Sequence, residues 1–188
     1  MNKPTLAIAF VLGAALAGCT PPPQSVIINP QGYFASGQAG RGQAITVAVS
    51  AAPGVQTVRN SASPKIVLQP SNDYVGAVGQ ALIKGFKLQG YNAASGYGGG
   101  TAVTVTIQKL TTDIVKGTTT DEVHAEAALA VAIGNTTYTF AKSMVRDIPL
   151  KADEQSASKT ANDLLGQLVS DVINSPKVQG ALSSSGPY

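Results

Sequence analysis

Tryptophan is absent from this chain, and histidine and cysteine occur once each. One cysteine cannot close a disulfide within the chain, so stability has to come from packing. One histidine leaves little for hydrolytic chemistry, which needs a nucleophile with a base, paired carboxylates or a metal site. No serine sits in a nucleophile-elbow pattern. Aromatic residues make up only 5% of the chain, which argues against a sugar site built on stacked rings, although Tyr91, Tyr97 and Tyr138 are available. Charged residues are sparse at 12%, and the formal net charge is +3. The basic residues come as separated pairs, Lys84 with Lys87, Lys109 with Lys116, Lys142 with Arg146. Nucleic-acid binding needs a clustered basic stripe, so that partner is excluded. Long apolar runs are missing too. The run 6–17 spans 12 residues, and a transmembrane helix needs about 20.

That short run is nevertheless the clearest signal present. A basic start, Met1-Asn2-Lys3, precedes it, and Leu16-Ala17-Gly18-Cys19 closes it. This is the layout of a secretory signal with small residues before the cut, and it resembles a bacterial lipobox. Residues 1–18 are therefore expected to be a signal peptide. Cys19 is expected to carry a diacylglycerol and an N-acyl chain, such as palmitate, as the first mature residue, anchoring the protein to a membrane. Thr20 stands where an aspartate would signal inner-membrane retention in enteric-type bacteria. The outer membrane, facing the periplasm, is the expected location.

Residues 19–44 read as a tether. Pro21-Pro22-Pro23 is stiff, Gly37, Gly40 and Gly42 loosen the remainder of the segment, and Val26-Ile27-Ile28 forms a strand-like patch. A single domain is expected over 45–182, with a loose tail at 183–188. Within it, Ile45–Val49 alternates as a half-buried strand, and Lys65–Gln69 reads as a second strand ended by Pro70. Ser71 or Asn72 is placed to cap a helix whose apolar face is Val75, Val78, Leu82 and Phe86. Gly90 closes it, and Tyr91 packs back on its end or opens a strand.

Gly96–Gly100 leads into a strand and so lacks the helix that a phosphate loop requires. Three strands come next, at about 102–115, 122–133 and 136–148. The last two are joined by Gly134-Asn135, a type II′ hairpin signal. Without crossover helices they should be antiparallel. An apolar stripe from Ala157 to Ile173 then predicts a helix over 156–174, with Asp153 and Glu154 at its positive end and Pro176 stopping it. These elements imply an α+β fold class: a mainly antiparallel β-sheet with two long amphipathic helices packed on it.

One polar group stands out. Glu122, His124 and Glu126 share one face of the middle strand by their two-residue spacing. A carboxylate beside an imidazole supports acid–base work or weak metal binding. An antiparallel strand with one solvated face needs polar residues there in any case. The pattern specifies no catalytic residue, no metal and no cofactor.

The lipobox Leu16–Cys19, the helix closing on Gly90-Tyr91, and Val103-x-Val105-x-Ile107-x-x-Leu110 running into Asp113-x-x-x-Gly117 appear in order. With the C-terminal helix carrying Asn162, Leu165 and Val169, the chain resembles the YajG-type family of bacterial outer-membrane lipoproteins over roughly 45–182. The longer Gly/Ala-rich tether and the Gly98–Gly100 insert are departures. That family has no established catalytic residues to transfer. The resemblance implies a non-enzymatic envelope protein acting as accessory or adaptor to another envelope component. A glycan- or lipid-binding module, for peptidoglycan or lipopolysaccharide, is the alternative.

Overall fold

The computed structural model describes residues 25–34, 36–55, 58–59, 67–96, 99–115, 117–149 and 152–185. The expected signal peptide, Leu16, Ala17, Gly18 and Cys19, and also Tyr97, Gly98 and residues 186–188, lie outside the described residues.

In chain order the elements are β1 (Ser25–Val26), β2 (Ala44–Ala51), β3 (Val58–Arg59), β4 (Val67–Pro70) and α1 (Tyr74–Leu88). Then come β5 (Asn92–Ser95), β6 (Thr101–Val115), β7 (Thr120–Ile133), β8 (Thr136–Pro149), α2 (Glu154–Asn174) and α3 (Pro176–Ser184). The three long strands are antiparallel, as the meander pattern predicts. β2 joins β5 and β6 in parallel, which requires the crossover that α1 supplies. β1, β3 and β4 extend the sheet beside the second half of β6. The result is an α+β fold with helices packed on one sheet face.

Strict alternation builds this. Val123, Ala125, Ala127, Leu129, Val131 and Ile133 of β7 are all buried, and their neighbours point the other way. In β6 the alternation breaks after Ile107 and resumes at Leu110. A bulge absorbs the slip, with a register shift between Ile107 and Lys109. The x-x in the sequence pattern is this bulge, and it keeps Val103, Val105, Ile107, Leu110 and Ile114 in the core. Gly134 alone in the hairpin pair has positive φ (57°), as a II′ turn demands.

α2 buries Ala157, Ala161, Leu164, Leu165, Leu168, Val172 and Ile173, the predicted stripe. It begins in a capping box, with the Asp153 carboxylate accepting from the Ser156 amide at 2.8 Å and the Ser156 hydroxyl accepting from the Asp153 amide at 2.8 Å. Pro176 ends α2 and opens α3 as its first residue. This C-terminal helix runs through Ser184, into the segment expected to be a loose tail. α1 is capped by Asp73, not by Ser71 or Asn72, with the Asp73 side chain accepting from Gly76 at 2.9 Å. Its end is a Schellman turn. Gly90 (φ 84°) donates to Lys87 and Tyr91 donates to Phe86, while the Tyr91 and Phe86 rings meet edge to face at 5.7 Å.

The expected tether is different. Residues 25–44, where described, are part of the domain. Val26 and Ile28 are fully buried. Asn72 brackets Ile28, accepting from its amide at 3.0 Å and donating to its carbonyl at 2.7 Å. Asn162 accepts from the Asn29 amide at 2.7 Å and donates to the Ile27 carbonyl at 3.0 Å. Two asparagine side chains thus act as strand partners for an extended segment. The segment then runs along the seam between α1 and α2. A side chain at Gly166 would stand 2.5 Å from the Gln31 carbonyl oxygen, and one at Gly85 would strike Ile173 and come within 3.0 Å of Phe34. Further on, Gly37 and Gly40 donate to Leu88 and Gln89 at 2.9 Å each. Proline and glycine content suggests looseness, but these backbone groups are paired, and Val26 and Ile28 are in the core.

Asn162→Ala removes both bonds to residues 27 and 29 and is expected to cost about 1–2 kcal/mol. Amide exchange should rise across residues 26–34 while β6 and β7 keep their protection. For Asp153, hydrogen bonds from Ser156 hold the carboxylate below its ordinary pKa. A lowered folded-state pKa contributes stability above the unfolded value and loses it as pH falls. Stability to urea should therefore drop below about pH 4, and Asp153→Ala should cost about 1 kcal/mol at neutral pH with a weaker acid dependence.

Candidate functional site

The side of the sheet away from the helices carries the predicted polar group. Glu122 and His124 are in contact, with His124 Nε2 2.7 Å from Glu122 Oε2. Glu126 is not part of that contact. It pairs with Lys109, which the bulge in β6 turns to the same face. The three residues share a face as the spacing predicts, but only two of them meet. Asp113 lies across from His124 and Asp147 across from Glu122. The His124 and Glu122 side chains are 42% and 47% exposed. Among the described residues no set of three such side chains could hold a metal ion. The pair sits on an open surface, and the described clefts are elsewhere. One, of about 260 Å³, lies between residues 29–34 and α1; another, of about 430 Å³, lies between Ile27 and the first turns of α2.

The rest of this face is made of small and hydroxylated residues. Ala128, Ala130 and Ala132 of β7 lie beside Thr104 and Thr106 of β6 and Thr137, Thr139 and Ala141 of β8. β8 is hydrogen-bonded only to β7, so its outer edge is free among the described residues. Opposite, α2 is tied to β8 by ion pairs. Lys142 reaches Asp171 at 2.8 Å and Arg146 reaches Asp163 at 2.7 Å. Burial raises the Asp163 pKa, but bonds from Arg146 and Lys159 outweigh it and hold the carboxyl below its usual range.

Tyrosines offered for sugar stacking fare unevenly. Tyr91 is buried at 3% exposure against Phe86, and burial raises its phenol pKa. Tyr138 is half-buried on the helix side. Asp121 has a role that strand spacing does not reveal beyond facing it away from Glu122. Its carboxylate is buried and accepts from Gly117 at 3.2 Å and from Ala152 at 2.8 Å, joining the β6–β7 turn to the start of α2. A charge at a core-facing position of an alternating strand is the available signal.

A family model described as uncharacterized lipoprotein, Lipoprotein_16, matches residues 35–183. The chain belongs to this lipoprotein family. The match begins inside the segment expected to be a tether. Membership makes the protein a bacterial lipoprotein, a membrane-anchored protein of the cell envelope. Among curated proteins none matches it. A Xanthomonas campestris protein of family DUF330 has a similar structure, at TM-score 0.50 and 12% identity, covering 86% of this chain and 96% of that one. A Helicobacter pylori homologue of a putative neuraminyllactose-binding hemagglutinin is also similar, at TM-score 0.51 and 9% identity, covering 85% and 97%. At such identities the likeness is one of fold.

Asp121→Ala leaves two amides in the turn and loop without their acceptor and is expected to cost about 2–4 kcal/mol. His124→Ala removes an exposed pair worth about 0–1 kcal/mol. Urea unfolding of the two variants should separate them by at least about 1 kcal/mol.

Proposed function

We propose that this lipoprotein is held at the periplasmic side of the outer membrane by lipid on Cys19. It works there without catalysis, as an accessory or adaptor to another envelope component. The observation that carries the adaptor role is the two-sided build of the sheet. One face is filled by α1 and α2, while the other face and the outer edge of β8 are left open among the described residues. A free strand edge offers a row of backbone donors and acceptors to an extended partner segment. Alternating Thr137, Thr139, Ala141 and Ser143 put no bulk in the way. The lipobox and the YajG-type order of motifs support the envelope setting.

Cys19→Ala should release the protein from outer-membrane fractions while leaving the domain folded by circular dichroism. Retention under high salt would overturn the lipid anchor. For the adaptor role, a photo-crosslinker placed at Thr139 in the lipidated protein should capture one dominant envelope partner, and one at Gln80 on α1 should not.

The alternative is a module binding peptidoglycan or lipopolysaccharide. The name of the Helicobacter pylori neighbour attaches a sugar ligand to that protein, and the same fold here leaves room for a glycan on the open sheet face. Burial of Tyr91 weighs against stacking there. Sedimentation with purified sacculi separates the readings, because an adaptor alone stays in solution.

A further inference from the structure

The acids of this chain are segregated along its length, while the cations are not. Between residues 19 and 112 there are six Lys or Arg and one acid, Asp73. From residue 113 onward there are nine acids. The fold puts four of these acids on the sheet face away from the helices, while Asp163 and Asp171 of α2 are paired with Arg146 and Lys142. Asp113, Glu122, Glu126 and Asp147 stand on the strands of the open sheet face. The helix side that carries the N-terminal segment has Lys84 and Lys87 exposed on α1. No residue of α1 is acidic.

Among the described residues, three of the five large exposed apolar residues lie on this side, the others being Val115 and Val145 on β6 and β8. Ile27 is 61% exposed, Tyr33 92% and Leu88 41%. Tyr33 and Ile27 project from the segment held against α2, where the Tyr33 carbonyl accepts from Ser170 and the Ile27 carbonyl accepts from Asn162. Leu88 lies where Gly37 donates to its carbonyl. Arg41 is exposed beside the end of α1 and is the one described non-glycine residue with positive φ, 45°. Glycine would hold that conformation at lower cost, so the position carries a cation despite its backbone.

The anchor fixes which surface lies nearby. Only residues 20–24 separate Cys19 from the first strand, and the six steps from Cys19 to Ser25 reach at most about 20 Å. With residues 25–44 folded into the domain, the protein cannot stand off from the bilayer on a long tether. We propose that the helix side bearing residues 27–41 seats directly on an anionic lipid surface. Lys84, Lys87 and Arg41 would face the headgroups, and Ile27, Tyr33 and Leu88 would enter the interface. The acidic sheet face and the β8 edge are then turned toward the periplasm. This rests on the anchor at Cys19 for its setting, though the surface itself is defined by the folded domain.

The mature chain carrying Cys19→Ala tests the surface without the anchor. It should bind vesicles of phosphatidylethanolamine with phosphatidylglycerol, fail to bind pure phosphatidylcholine vesicles, and dissociate as salt screens the charges. Lys84→Gln with Lys87→Gln should weaken that binding about 30-fold, the change for two cations at the surface. Lys109→Gln removes a cation from the open sheet face instead, and should change binding less than about twofold. A loss of about fivefold from Lys109→Gln, equal per cation to that of the lysine pair, or no binding to anionic vesicles, would overturn the proposal.

In the lipidated protein, which has no native tryptophan, Tyr33→Trp should be quenched by brominated lipids and Thr139→Trp should not. An unquenched indole in the Tyr33→Trp variant would also overturn it. If Cys19 carries no lipid, fractionation reports that separately and vesicle binding by the Cys19→Ala chain is unchanged.

Discussion

The unbroken two-residue alternation through β7 is the constraint on which the rest depends. With Val123 to Ile133 committed to one face, that face must be covered, and the stripes of α1 and α2 are what the chain has to cover it. The bulge in β6 keeps Leu110 and Ile114 in phase with β7 after the break at Ile107. It also turns Lys109 toward Glu126, so a packing requirement in the core sets the pairing on the opposite surface. Parallel attachment of β2 has the same origin. α1 must lie over the sheet, and a strand entered before it and left after it can only run in the same direction.

A second consequence concerns the path into the fold. Glycine at 85 and 166 leaves a shallow seam between the helices, and asparagine at 72 and 162 supplies strand-like partners beside it. The segment from residue 26 to residue 34, where described, fills that seam. Its backbone groups find partners, and Val26 and Ile28 find cover, which is why a stretch rich in proline and glycine behaves as part of the domain. Asn162, one of the residues carrying the family likeness, acquires a physical role here.

Much of the architecture is legible in the sequence because it rests on local periodicity. The three long strands, the II′ hairpin at Gly134, the stop at Gly90-Tyr91 and the long C-terminal helix each arise from spacing or from the special conformations of glycine and proline. The helix cap falls one or two residues beyond its expected place because Ser71, Asn72 and Asp73 are all competent caps. Only the contact of Asn72 with Ile28, 44 residues away, decides among them. Spacing puts Glu122, His124 and Glu126 on one face, as the structure has them. The solvated face is legible too, but not that Lys109, from a neighbouring strand, draws Glu126 away. Asp121 and the expected tether escape the sequence for one reason. Both are held by partners remote along the chain or unreadable from spacing, Ala152 and Gly117 for one, Asn72, Asn162 and the helix seam for the other.

The sequence by itself determined the elements, the two-faced character of the sheet, the lipobox signal and the shortage of catalytic side chains. These depend on residues within a turn or two of each other, where sterics and periodicity are sufficient. The tertiary structure alone decided that residues 25–44, where described, belong to the domain, that Tyr91 is core, and that Lys84 and Lys87 face away from the sheet surface bearing Asp113, Glu122, Glu126 and Asp147. Those outcomes depend on which surfaces meet once the chain is folded, because burial and charge proximity are properties of distance in space and not of distance along the chain.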